Sequence, residues 1–416
     1  MSPAQPLGNP APIAGTIPAS SAEQAAQRSL SLYVHIPYCS VRCGYCDFNT
    51  YAVEDFGQGV GKDTYANDAL AELDFAVAVL EGSQVPARSL HSIFFGGGTP
   101  TQLKTTDLTK ILEHALDLFG LKAGAEITVE ANPDSVTAED LAQLAEAGFT
   151  RVSFGMQSAV STVLAVLDRT HQPSNVEQVI NWAKKAGLQT SLDLIYGAPQ
   201  ESLGQWQESL ETALSYQPDH ISAYSLIVEE GTKLWKQIQQ GYYSWPDDDL
   251  LADMYLLADQ LLESSGYHWY EVSNFANSSS SQSQHNKAYW KNQDWWGIGP
   301  GAHSHIAGTR WWNVKHPLAY SQRLAAGQSP AAAREVLAPA TRLFEDIMLA
   351  LRTVEGVSVK KLGRAHPQKK LWQRLNLLSQ QGLIEEALLD QQQRVILTRQ
   401  GRLLADAVAR QLVPDL

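Results

Sequence analysis

The feature that most narrows what this chain can fold into is a repeated alternation of short β-prone runs with amphipathic helical stretches. The runs fall at 32–36, 92–95, 126–130, 151–154, 190–195 and 220–224. Between them lie stretches at 65–80, 107–119, 138–147, 176–186 and 203–215, where apolar residues recur at i, i+3 and i+4. Thr137 and Ser174 stand where helix N-caps belong, and Gly120, Gly148 and Gly187 stand where helices stop. Strand–helix alternation predicts a parallel sheet with crossover helices. Six units predict an α/β fold, an incomplete (β/α)6 TIM-like barrel, with a doubly wound open sheet as the alternative. Either puts the chemistry where strands end and loops begin.

The remainder of the 416 residues divides around this repeat. Residues 1–29, rich in Ala, Pro, Ser and Gln and without a period, read as a flexible tail. The partial barrel is expected over 30–276. A connecting segment follows over 277–339, with a polar linker at 277–283 and an aromatic-rich, irregular stretch at 294–312. A small helical, winged-helix-like domain covers 340–416, with helices at 341–353, 369–381 and 398–412 and a two-stranded wing from 382–384 and 394–397. From residue 335 onward this region carries a formal charge of only +3, 12 Lys+Arg against 9 Asp+Glu. Capping a core or docking a partner is therefore expected rather than DNA binding. The net charge of −13 for the whole chain likewise predicts no nucleic-acid partner. With no run of ~18 apolar residues and no secretory leader pattern, a cytoplasmic protein without a transmembrane segment is expected.

All three cysteines, Cys39, Cys43 and Cys46, lie within eight residues on the loop after the first strand. Three is a poor number for a disulfide framework. Three thiolates can hold three irons of a four-iron cluster and leave the fourth open, whereas four would close it for plain electron transfer. The competing reading is a zinc site with His35 as fourth ligand. Tyr38 and Tyr45 can shield the cluster. One strand later comes Phe95-Gly96-Gly97-Gly98-Thr99-Pro100, whose glycines admit a ligand close to the backbone, or simply make a tight turn. Glu130, Gln157, Arg169 and Asp193 fall at or near later strand ends. Asp193 inside an apolar strand needs a partner or a ligand, and Glu130 with Arg169 has an ordinary ion pair as its bland explanation.

The segment Tyr33-Val-His-Ile-Pro-Tyr-Cys-Ser-Val-Arg-Cys-Gly-Tyr-Cys-Asp-Phe48 resembles the radical S-adenosylmethionine (SAM) superfamily, in the branch that holds oxygen-independent coproporphyrinogen III oxidase and related heme chaperones. The resemblance runs from about Leu30 to the C-terminus. It implies a [4Fe–4S] cluster on Cys39, Cys43 and Cys46, and one or two SAM molecules contacted by Tyr33, Tyr45, Gly97, Gly98, Thr99, Glu130, Gln157, Arg169 and Asp193. Within it, the glycine run matches the motif that holds the methionine amino group and Glu130 the position that takes the ribose hydroxyls. Gln157, Arg169 and Asp193 match positions that hold a second SAM in the oxidase. A reductant such as flavodoxin or ferredoxin is implied as well.

Two features separate the branches. The oxidase pattern has a further cysteine two residues after the triplet; here Phe48 stands in that place. His285-Asn-Lys-Ala-Tyr-Trp290 resembles the HNxxYW motif of the chaperones, which implies heme and client hemoproteins as partners. Imidazole is a normal heme ligand, and His303 and His305 are rivals to His285 for that role. His285 as an ordinary hydrogen-bonded loop residue, and Trp295, Trp296, Trp311 and Trp312 as core, are the competing readings. An oxidase would call on Arg169 and Arg310 for substrate carboxylates. The resemblance also implies that the C-terminal domain covers the barrel opening.

Overall fold

A computed structural model of the chain describes residues 7–365 and 367–413, so the first six residues of the expected tail and the last three of the C-terminal domain lie outside it. In chain order the strands are β1 (Asn9–Pro10), β2 (Leu30–Ile36), β3 (Leu90–Gly97), β4 (Leu121–Ala131), β5 (Arg151–Gln157), β6 (Gln189–Tyr196), β7 (His220–Ser225), β8 (His268–Glu271), β9 (Asn274–Ala276), β10 (Asp294–Ile298), β11 (His303–Ile306), β12 (Thr309–Asn313), β13 (Ala331–Val336), β14 (Val357–Ser358) and β15 (Arg394–Val395). The first thirteen form one sheet in the order β1-β13-β12-β11-β10-β2-β3-β4-β5-β6-β7-β9-β8. At its centre β2 to β7 run parallel in sequence order, as six right-handed βα units require. One end continues through β10, parallel to β2, and the other through the antiparallel β9, so the sheet does not close.

The central strands are apolar and largely buried on both faces, as a helix-covered parallel sheet demands. The helices between them bury one stripe each. In Thr105–Phe119 that stripe is Leu108, Ile111, Leu112 and Ala115, and the helix stops at Gly120 with φ +68°. Thr137 caps its helix by a reciprocal box, accepting from the Asp140 N–H while Asp140 accepts from its own. Ser174 is not a cap: Pro173 already holds the first helical position, which its ring favours.

Three further expectations give way. The N-terminal segment is not a free tail over its described length. Asn9 and Pro10 pair with β13, Ala19–Ala25 is helical, and Ile17, Ala22 and Ala25 are buried. Proline is tolerated on such an edge strand, and the segment covers an edge that would otherwise stand open. The stretch 294–312 is not irregular but forms β10, β11 and most of β12. Gly297 is needed there, since a Cβ on it would lie 2.2 Å from the His303 carbonyl. The linker 277–283 is strapped down: the Ser281 carbonyl accepts from Arg151, and Ser283 caps the helix Gln284–Trp290.

The C-terminal residues pack a second core of their own around Ile347, Leu371, Leu375, Val408 and Leu412. Its first two long helices, Pro339–Ala350 and Gln368–Gln380, lie near their expected places, but the last is broken into Arg399–Leu403 and Ala405–Leu412. The wing pairs β15 with β14, and 382–384 contributes only the bridge Ile384–Leu397. Arg399 and Arg402 dock this domain onto the buried Asp259 of the helix Asp248–Ser264. Among the described residues, no helix is long and apolar enough to cross a membrane.

Candidate functional site

The three cysteines, the nine residues implied to contact SAM, and His285 all line one cavity of about 580 Å³ inside the open barrel. That size suits a small-molecule or cofactor site. At the C-terminal ends of the strands sits the cysteine loop. It is shaped by backbone bonds from Cys39 N–H to the Tyr51 carbonyl and from Tyr51 N–H to the Pro37 carbonyl. Asn49 anchors it from outside by donating to the Pro300 and Lys315 carbonyls. The three thiols are half-buried and unbridged. Burial pushes the Cys39 thiol up to about 11; the Thr99 hydroxyl pulls it back, and Cys46 and Cys43 add to the rise. Burial also raises Cys46.

Three unbridged thiols that share a cavity wall are the donor set of a cluster with one open iron rather than of a four-ligand single-ion site. The zinc reading also loses its fourth ligand. His35 Nδ1 bonds the Tyr33 hydroxyl at 3.0 Å and Nε2 the Asn49 carbonyl at 2.9 Å.

The glycine run is there for close approach. A Cβ on Gly98 would lie 2.6 Å from the Tyr38 carbonyl and 2.9 Å from Cys39 Sγ. On Gly97, with φ +116°, it would strike the His35 ring. Gly97 N–H donates to Glu130 Oε2 at 3.1 Å. Burial, reinforced by Asp193, pushes Glu130 up to about 8, and the Gly97 bond offsets part of this. Asp193 is raised too, chiefly by burial, and accepts from the Ser153 hydroxyl at 2.9 Å. Two neighbouring carboxyls biased toward their neutral forms mark a place built for a ligand rather than for stability.

Glu130 and Arg169 do not pair. Arg169 instead donates to Asn132 Oδ1 at 2.7 Å and the Gly155 carbonyl at 2.9 Å, and lies 3.6 Å from Cys43 Sγ. Gln157 holds a left-handed φ of +61°, a strain of about 1–2 kcal/mol for a residue with a Cβ. Such strain at a cavity wall is typical of ligand sites. Asn132 was missed as a site residue. It also donates to the Thr99 hydroxyl, and its position two residues after Glu130 and directly before Pro133 was the available signal.

His285 lines the opposite end of the cavity. It touches Ser92 near the start of β3, roughly 20 Å along that strand from Gly98 at ~3.3 Å per residue. The ring is 1% exposed and stacks on Phe94 with centroids 5.1 Å apart. Its rivals lie elsewhere. His305 bonds the Gln293 carbonyl and the Gly308 N–H, and His303 stacks on Trp312; neither lines the cavity. Nor do the four tryptophans: Trp296, Trp311 and Trp312 are buried, with Trp296 and Trp311 edge to face at 4.9 Å, and the half-buried Trp295 packs on Tyr289 and His305. Arg310 is bound to Glu335 and Glu345, away from the cavity, and no described residue beyond Tyr289 lines it, so the C-terminal domain is not its lid. At the rim Val41, Phe48 and Ile227 are exposed, next to the charged Arg42, Asp47 and Glu229.

An open parallel (β/α)6 sheet with three unbridged thiols on its first loop and a glycine run on its second defines the radical SAM class. Residues 33–213 match the Radical SAM superfamily. The chain is 41% identical over 384 residues to the heme chaperone HemW of Mycobacterium tuberculosis, covering 92% of this chain and 94% of that one. It is 35% identical to HemW of Bacillus subtilis, covering 91% and 97%. The solved structure of coproporphyrinogen III oxidase (HemN) from Escherichia coli, a radical SAM enzyme, superposes with a TM-score of 0.79 over 96% of this chain and 93% of that one, at 22% identity. The chain belongs to the HemW family of the radical SAM superfamily. Membership of the superfamily implies a [4Fe–4S] cluster and SAM.

Proposed function

We propose that this protein is a heme chaperone, which takes up heme as cargo and delivers it to client hemoproteins. The observation that carries the reading is the continuity of one cavity from the three thiols to His285. Cys39, Cys43 and Cys46 would hold the cluster; when bound, it supplies a single electron and an open iron for the amino and carboxylate groups of SAM. Gly97 and Gly98 let the nucleotide approach the backbone, and Glu130 takes its ribose hydroxyls. Thr99, Gln157, Arg169 and Asp193 line the walls around it. Tyr33 and Tyr45 close the cavity beside them. His285, at the far end, is the heme ligand. A small reductant such as flavodoxin or ferredoxin is the expected electron source.

The test is anaerobic reconstitution, heme titration by absorbance, and transfer to an apo-hemoprotein. Stoichiometric uptake and transfer are expected; no uptake refutes the reading. The second reading, oxidative decarboxylation of coproporphyrinogen III, is favoured by the shared fold of the oxidase. Phe48 speaks against it, since an aromatic ring cannot relay a hydrogen or electron as a thiol does. Carbon dioxide release from coproporphyrinogen III under anaerobic conditions would restore it.

A further inference from the structure

His285 and Tyr289 are four residues apart on the helix Gln284–Trp290, so their side chains meet on one face. Proton counting fixes the imidazole's tautomer. The Ser92 hydroxyl gives its one hydrogen to Ser31 Oγ at 2.9 Å, so toward His285 Nδ1, also at 2.9 Å, it can only accept. Nδ1 therefore carries the proton. Nε2 is left with the lone pair, and its partner at 2.9 Å is the Tyr289 hydroxyl, which donates. This is the tautomer a metal needs, with the far nitrogen held by a second residue. Yet the lone pair is covered. The imidazole cannot turn away, because it is buried and stacked on Phe94. Tyr289 is half-buried, lines the cavity, and otherwise meets Trp295 edge to face at 4.7 Å.

Resting on His285 as the heme ligand, we propose that Tyr289 is a removable cap on the ligating nitrogen, so that the phenol must release Nε2 before iron can bind. Heme loading is then gated: only the uncapped fraction is competent, and the apparent affinity is reduced by that fraction. One neutral hydrogen bond of ordinary strength corresponds to roughly a 2- to 10-fold effect on that equilibrium.

The experiment uses the full chain with its cluster and ferric heme as the probe. Stopped-flow absorbance gives rates and affinities, and resonance Raman identifies the ligand. Tyr289→Phe is expected to bind heme about 2- to 10-fold more tightly, mainly through a faster on-rate, with the parent's histidine-ligated spectrum. Ser92→Ala, which removes the group holding the proton on Nδ1, is expected to shift affinity the other way. Unchanged binding in Tyr289→Phe, with binding lost in His285→Ala, overturns the cap but leaves the chaperone reading standing. Loss of heme in Tyr289→Phe with the cluster retained also overturns it, since Tyr289 would then hold the cargo itself. No heme uptake by the parent, or parental uptake by His285→Ala, removes the ligand and the cap together. Should Tyr289→Phe fail to assemble its cluster, Ser92→Ala decides: weaker heme binding supports the proposal and parental binding overturns it.

Discussion

If Glu130 accepts hydrogen bonds from ribose hydroxyls, it does so most strongly as a carboxylate, and burial, reinforced by Asp193, pushes it up to about 8. At pH 7 such a group is only about 10% ionised and at pH 9 about 90%, so binding through the ionised form strengthens up to about tenfold across that window. The sign follows from the raised value: the competent form is present above pH 8 and is lost as pH falls through it. The amino group of SAM also titrates near 8, at about 7.7–8.0 for a free α-amino group, so a single profile does not isolate Glu130. Glu130→Gln does. Its amide can still accept a bond but cannot ionise. Equilibrium dialysis with labelled SAM from about pH 7 to 9 should show the ratio of parent to variant affinity rising by up to about tenfold. Parallel profiles at all pH values would refute the argument. A parent that loses ground to the variant on raising pH would mean that the protonated acid is the working form.

Other substitutions probe the rest of the site and the frame. Cys43→Ser should abolish cluster assembly, read as iron and acid-labile sulfide, while the thermal melt of the cluster-free protein stays within about 0.5 kcal/mol of the parent, as for a substitution outside the packed core. Gly98→Ala forces a methyl to within 2.6 Å of the Tyr38 carbonyl and 2.9 Å of Cys39 Sγ. It should cost about 1–3 kcal/mol as overpacking and lower cluster content; full loading at parental stability would contradict the close-approach argument. Asp259→Asn removes the buried partner of Arg399 and Arg402. Breaking a buried pair costs about 3–5 kcal/mol, and the half-exposed Arg399 moves the expectation toward 3. Limited proteolysis should then release the C-terminal domain while SAM binding persists, because no described residue of that domain lines the cavity.

The sequence by itself determined the six βα units, the cysteine loop on the first of them, and a set of polar residues at later strand ends that do share one cavity. These were legible because periodicity, caps and motif spacing are local properties, and because five successive crossovers of one hand leave little freedom in where strand ends go. Phe48 and the His285 motif were legible for the same reason, as short patterns. What only the tertiary structure decided depends on partners far away in the chain. β10 pairs with β2 across some 260 residues of sequence, and Asn9–Pro10 becomes a strand only because β13 offers an edge. Glycines and tryptophans hid the first; proline and alanine hid the second. Arg169 lies not at a strand end but on the loop between the helices Ser161–Val166 and Pro173–Lys185, and the choice of Asn132 over Glu130 fell to side-chain geometry. The state of His285 was the least readable of all. Whether an imidazole is free, charged or capped depends on which hydroxyls face its two nitrogens, and here one comes from β3 and the other from its own helix. Burial and the folded surroundings set that choice, and no one-dimensional pattern carries it.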